Sequence, residues 1–238
     1  VLAYGSTRRN GTPHVLLWRL EQDRMVELEP SGMNGHGANW GCGHGDVLAL
    51  EVFPSESPER KLAVSTDGAE SFTLVDDGPV EDARQLRCGV GPDGQVAVLV
   101  FRGHSPELHT YDPVGGTWRE VQLPDDERIN VNRVQHLPGV GWVVTGSEER
   151  DDRRGFAYVS GDLDDWMVIR AATDVTAMWH SAVFEGDLYL LGSERDEPAL
   201  WTVPLTQLPG EAVEAVGRRS ESARLVEAGA HSALAQRR

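Results

Sequence analysis

Short apolar runs alternate with polar, glycine-bearing breaks along the whole chain, and the runs come in recurring sets. The most apolar member of each set reads VLAYGS from Val1, DVLALEV from Asp46, QVAVLVF from Gln95, GWVVTGS from Gly141 and DLYLLGS from Asp187. Runs rich in Val, Leu and Tyr, bounded by Gly or charged clusters, predict strands. Each is followed by a third run (HVLLWRL, RKLAVS, ELHTYD, GFAYVS, ALWTVP) and a fourth (RMVELE, FTLVDD, WREVQL, WMVIRA, AVEAVG). A weaker first run precedes it: GANWGCG, RQLRCGV, NRVQHLP, TAMWHSA and RLVEAGAHSAL. Between third and fourth runs stands an Asp-bearing turn and then an aromatic residue, clearest in VSTDGAESFTLV (Val64 to Val75), TYDPVGGTWREV (Thr110 to Val121) and YVSGDLDDWMVI (Tyr158 to Ile169).

Four short strands repeating at a period of roughly 45 residues predict a β-propeller, because such a unit cannot bury both faces alone. The expected fold is all-β: one five-bladed domain with blades at about 223–238 joined to 1–30, 31–79, 80–124, 125–171 and 172–222. The C-terminal stretch supplies a first run with no second run after it, while Val1 opens directly on a second run. Splicing AGAHSALAQRR onto VLAYGS restores an ordinary repeat, so Arg224 to Leu234 is expected as an inner strand beside Val1 to Gly5, closing the ring and removing an edge.

The segment STDGAESF resembles the Asp-box of the sialidase-type (BNR) repeat, Ser-x-Asp-x-Gly-x-Thr-Trp, with Ser65, Asp67, Ser71 and Phe72 in matching places and Ala69 at the Gly position. SGDLDDW (Ser160, Asp162, Trp166) is one residue short of it, and YDPVGGTW (Tyr111, Asp112, Thr117, Trp118) and HSAVFEGDLYLLGS are similar to kelch repeats. The resemblance implies a propeller and a structural turn, not an activity. The carboxylate is expected to accept backbone N–H bonds while the ring fills space between sheets. Asp67, Asp112, Asp162, Phe72, Trp118 and Trp166 are therefore read as folding residues. A sialidase is argued against, since its arginine motif has no counterpart and a sixth blade is missing.

Composition narrows the partners. With 38 Asp and Glu against 22 Lys and Arg, the formal charge of −16 disfavours nucleic acid and anionic membranes, which need cations. No apolar run reaches the length of a membrane span and no leader peptide is visible, so a soluble, monomeric and cytoplasmic protein is expected. Cys42 and Cys88 occupy equivalent places in successive repeats and are read as buried free thiols.

Candidate chemistry sits in the loops that enter first strands and join second to third strands. NGHGANWGCGHGD is the most unusual stretch, and there His36, Asn39 and Trp40 could contact a ligand that glycines let approach closely. Trp179 and His180 hold the corresponding place in another repeat, Trp179 being matched with Trp40. Arg102 and Arg195, which recur with Arg8 and Arg150, suit an anionic group, although neighbouring acids could neutralise them. No cofactor is expected. The metal alternatives are His136, His180 and His231 converging from three repeats, or His36 and His44 with Cys42.

The expected function is binding of a small polar or aromatic molecule at the mouth of the channel by His36, Asn39, Trp40, Arg102, Trp179, His180 and Arg195. The alternatives are an enzyme, through that metal or through acid–base work by His36 or His180, and a protein-interaction scaffold. Truncation after Gly217 is expected to lower the melting temperature of the whole protein; an unchanged melting temperature would exclude the closing strand.

Overall fold

In the computed structural model, residues 2–9, 11–54, 59–75, 77–103, 106–124, 129–148, 153–171, 176–208 and 214–215 are described. The expected closing strand, with His231, and Arg150 lie outside the described residues. The chain divides into two compact units, Val1–Leu123 with Val134–His136, and Pro124–Arg133 with Leu137–Arg238.

In the first unit, β1 (Leu2–Arg9), β2 (Thr12–Glu21) and β3 (Arg24–Leu28) form a three-stranded sheet. The next sheet runs β4 (His36–His44), β5 (Val47–Pro54), β6 (Lys61–Ser65), β7 (Thr73–Val75). The third runs β8 (Gln85–Val90), β9 (Val96–Phe101), β10 (Glu107–Asp112), β11 (Thr117–Val121). Two more sheets follow: β12 (Ile129–Leu137), β13 (Gly141–Glu148), β14 (Gly155–Ser160) and β15 (Met167–Ala171), then β16 (Thr176–Phe184), β17 (Asp187–Glu194) and β18 (Glu197–Pro204). Neighbours in sequence are neighbours in each sheet, so each copy of the repeat becomes one antiparallel meander.

One run departs from its expected place. β19 (Glu214–Ala215) does not extend the sheet of β18; it pairs in parallel with Arg170 and Ala171 of β15. Pro204 and the 3-10 turn Leu205–Gln207 end β18 and redirect the chain, with the Leu205 N–H bonded to the Gly186 carbonyl.

Three of the second strands, β5, β9 and β13, are apolar because both of their faces are covered. Val96, Ala97, Val98, Leu99 and Val100 are all fully buried, and burial at this level contributes roughly 1.5–3 kcal/mol for each large aliphatic side chain. The second unit has its own core of Val143, Ala157, Ile169, Met178, Leu188, Leu190 and Trp201.

The Asp-bearing turns form as their chemistry predicts. Asp67 Oδ1 accepts the N–H groups of Glu70 (3.1 Å) and Ser71 (3.0 Å), and Ser65 Oγ accepts that of Ala69 (3.0 Å). The hydroxyl and N–H of Ser71, then the Ser65 hydroxyl, hold the Asp67 carboxyl at about 2. Asp162 repeats the arrangement with the N–H groups of Asp164 and Asp165, and its pKa is lowered by them. Ala69 and Leu163 take left-handed backbone angles there, with φ of 78° and 71°.

Cys42 and Cys88 are not free thiols. They form a disulfide that joins β4 to β8, with Cα atoms 5.8 Å apart. Their equivalence in the repeat is what brings them together, because first strands of successive sheets lie side by side here. Closing a loop over a sequence separation of 46 residues constrains the unfolded chain by about 4 kcal/mol in the chain-entropy picture.

Close approach of strands sets the demand for small residues. A Cβ on Gly192 of β17 would overlap the Ala177 carbonyl of β16. Gly192→Ala is therefore expected to cost about 1–3 kcal/mol through overpacking, read as a drop of several degrees in the melting temperature. A variant that melts with the parent would show that the strands can part without cost.

Candidate functional site

The glycine-rich stretch folds as β4, an edge strand whose two faces do different things. Alternation along a strand sends successive side chains to opposite sides, and the register with β5 identifies each side. Trp40 pairs with Glu51 and Cys42 with Ala49, whereas Gly41 pairs with Leu50 and Gly43 with Leu48.

The glycine side borders a cavity of about 310 Å³, lined by Tyr4, Leu17, Gly41, Gly43, Leu48, Leu50 and Phe72, with Cys42, His44 and Gly45 along the strand. The glycines keep β4 low against its neighbours: a Cβ on Gly41 would stand 3.0 Å from Tyr4 Cε1. As an edge strand, β4 also turns half of its backbone N–H and C=O groups away from β5, outside the ladder of its own sheet.

The other side of β4 is charged and tightly packed. Glu51 is buried, 1% exposed, in the middle of the sheet. Its Oε2 accepts from Asn39 Nδ2 at 3.2 Å and its Oε1 lies 3.3 Å from Arg60 Nε. Burial raises the Glu51 pKa above its ordinary value, opposed by Arg60, by the Leu86 N–H and Asn39 hydrogen bonds, and by Arg87. The Arg87 guanidinium stands between two rings, 5.3 Å from Trp40 and 5.2 Å from Phe101, a cation–π arrangement that orders both aromatics.

The expected site residues therefore divide. Asn39 and Trp40 belong together, but their polar and aromatic surfaces engage Glu51 and Arg87. His36 opens β4 with its Nδ1 3.0 Å from the Asn34 carbonyl oxygen. Arg102 is held by Glu107 Oε2 (2.6 Å), the Pro79 carbonyl (2.5 Å) and the Glu81 carbonyl (3.3 Å), so neighbouring groups of the first unit neutralise it. Burial opposes ionisation of Glu107, but hydrogen bonds from Arg102 and His109 hold its pKa below the ordinary value.

In the second unit, Trp179 is 43% exposed and His180 takes a 2.8 Å hydrogen bond from Arg133 Nη1 at its Nδ1. A guanidinium only donates, so that nitrogen is the acceptor of the ring. Arg195 occupies the exposed β17–β18 turn with φ of 52°. The matching of Trp40 with Trp179 is corrected by the register. β-Bulges skip Asn39 in β4 and Trp179 in β16, so the counterpart of Trp40 is His180. The hairpin turns at Gly45–Asp46 and Glu185–Gly186 fall one residue apart relative to the motif, which shifts the equivalence.

His136 stands among residues of the first unit, where burial and then His44 lower its pKa while Asp93 opposes them. Cys42 is committed to the disulfide, which removes it as a thiolate ligand beside His36 and His44. Among the described residues, no three His, Cys, Asp or Glu side chains gather closely enough to hold a metal ion. No helix among them is long and apolar enough to cross a membrane.

Sequence reasoning passed over Glu51 and Arg87. The signal for Glu51 was visible: in VLALEVF it occupies the place of Val100 in VAVLVF, a charge inside an otherwise apolar strand.

No family model matches the chain, and no curated protein matches it. Solved structures do. TolB from Acinetobacter baumannii superposes with a TM-score of 0.55 at 10% identity, over 87% of this chain and 50% of that one. A TolB from Agrobacterium tumefaciens gives 0.54 at 13% identity, over 90% and 80%. The major Malassezia sympodialis allergen Mala s 1 gives 0.54 at 10% identity, over 94% and 76%. The fold is thus a β-propeller. The chain spans half the length of the Acinetobacter protein, and at these identities the likeness concerns fold alone.

The Glu51 cluster has a testable sign. A folded-state pKa above the unfolded value means that the native protein binds this proton more tightly. Its contribution is therefore fullest below about pH 4.5 and is lost as pH rises through the folded pKa. Glu51→Gln should remove that slope, so the stability of the parent relative to the variant should fall between acid and neutral pH. Parallel stability–pH curves for the two proteins would refute the burial argument.

Proposed function

We propose that this protein is a propeller-based binding module that takes a small, flat, largely apolar ligand in the cavity beside β4. The observation that carries the reading is the cavity of about 310 Å³ walled by Tyr4, Leu17, Leu48, Leu50 and Phe72. Ligand sites are concave, mostly apolar and supplied with a few polar groups, and begin near this volume. His44 and the outward backbone groups of β4 provide those polar contacts, which suits an aromatic ring bearing one hydrogen-bonding group. Asn39, Trp40 and Arg102, the residues first expected to bind, are each engaged by groups of the protein itself, so this reading does not rest on them. The Cys42–Cys88 bond favours maturation in an oxidising compartment over a cytoplasmic one.

Indole is a suitable probe. It is expected to raise the melting temperature of the parent protein and to perturb the Tyr4 ring resonances in NMR spectra. Gly43→Val should abolish both effects while keeping the strand, since a Cβ there presses the Leu48 side chain and a β-branched residue suits a strand. Binding of indole that survives Gly43→Val unchanged would move the site elsewhere.

A further inference from the structure

The cavity wall and the disulfide share one strand, and this points to control of the site. We propose that the redox state of Cys42–Cys88 sets the ligand affinity of the cavity by fixing or releasing its β4 wall; this rests on the binding function proposed above.

Three observations carry the inference. Cys42 borders the cavity and is bonded to Cys88 on the neighbouring sheet, so the covalent anchor is placed in the wall itself. Gly41 and Gly43 flank Cys42 and project no side chain toward Leu50 or Leu48, so that face of β4 has little packing of its own to hold it. β4 is also an edge strand, laddered to β5 alone within its sheet. Beyond the disulfide and the apolar packing of Val47 and Ala49 with Val90, the directional contacts to β8 described above are the Arg87 guanidinium over Trp40 and the Leu86 N–H bond to Glu51 of β5. Both of these lie toward the Trp40 end, away from residues 43–45 at the cavity.

Cys42 and Cys88 are each partly exposed, which gives a reductant access. A dithiol reductant completes the chemistry. Its thiolate attacks one of the two sulfurs, the Cys42–Cys88 bond breaks, and a mixed disulfide forms. The second thiol of the reductant then displaces the protein sulfur. Two electrons and two protons end on the protein as two thiols, and the reductant leaves as a disulfide. Val96, Val98, Val100 and Leu62 are fully buried beneath the two cysteines, which pack against this core from its margin, so release is expected to stay local.

The test compares oxidised protein, protein reduced by dithiothreitol, and the double variant Cys42→Ser with Cys88→Ser. Indole titration and amide hydrogen exchange are followed in all three. Reduction is expected to weaken indole binding at least fivefold and to speed exchange at residues 41–44 at least tenfold, with β9 unchanged and the double variant matching the reduced protein. Equal indole affinity in oxidised and reduced protein, with binding present in both, overturns the proposal. So does exchange that accelerates throughout the first unit, since the bond is then only a general staple. Faster exchange confined to residues 41–44 without indole binding in either state supports release of the wall and overturns the ligand reading beneath it. Should the double variant fail to fold, the reduced parent protein decides between these outcomes.

Discussion

A sheet whose second strand is apolar on both faces cannot stand in water by itself, and the rest of this structure follows from that constraint. β9 has five consecutive residues fully buried, and β13 and β14 are covered almost as completely. Covering both faces demands that strands and sheets approach closely, and close approach demands small side chains where backbones meet. Gly192 against the Ala177 carbonyl is one such point within a sheet, and Gly41 against Tyr4 is another between sheets. The Asp-bearing turns meet the same constraint at the other end of the meander. They tie off backbone N–H groups within a few residues, so that the third strand can reverse into the fourth without leaving donors unpaired.

β4 shows how that demand can leave a site behind. A strand with side chains on both faces would fill the space on each side of it. Here the sequence puts Trp40 and Cys42 on one face and glycines on the other. The first face is therefore over-determined, by a disulfide, a cation–π stack and a buried carboxylate with its donors. The second face is left hollow. Glycine does not create the cavity by flexibility at these positions; it does so by the absence of a side chain beside Leu48 and Leu50. The same residues that make the strand easy to pack close to β1 make it a poor filler of the room that remains.

The strands were legible because burial on both faces writes long apolar runs, and nearly every predicted run became a strand of the predicted neighbour order. Three features were not legible, each for a physical reason. The bulges at Asn39 and Trp179 depend on where a hairpin turn closes, and a turn displaced by one residue leaves no mark in the apolar pattern while flipping every equivalence beyond it. The pairing of Cys42 with Cys88 depends on the side-by-side placement of first strands, which spacing along the chain does not report. β19 joins β15 through two residues only, too short a segment for its pattern to specify a partner. Candidate ligand groups were chosen for their chemistry, and chemistry alone does not distinguish a side chain awaiting a partner from one already served. Trp40 and Arg102 are of the second kind.

Glu51 bears on why the two faces of β4 remain distinct. Its carboxyl is drawn into the sheet by Asn39, Arg60 and the Leu86 N–H, and these reach it from β4, from the residue before β6 and from β8. A valine, as in the equivalent place of β9, would pack without such partners and would leave the bulge residue Asn39 and the Arg87 guanidinium to find others. The carboxylate thus fixes the position of β4 relative to β8 at the Trp40 end, while the disulfide fixes it further along. An apolar contact permits sliding at small cost, whereas a directional hydrogen bond and a covalent bond do not. Two such fixed points on one face leave the opposite, glycine-bearing face free to be empty without the strand collapsing into the space.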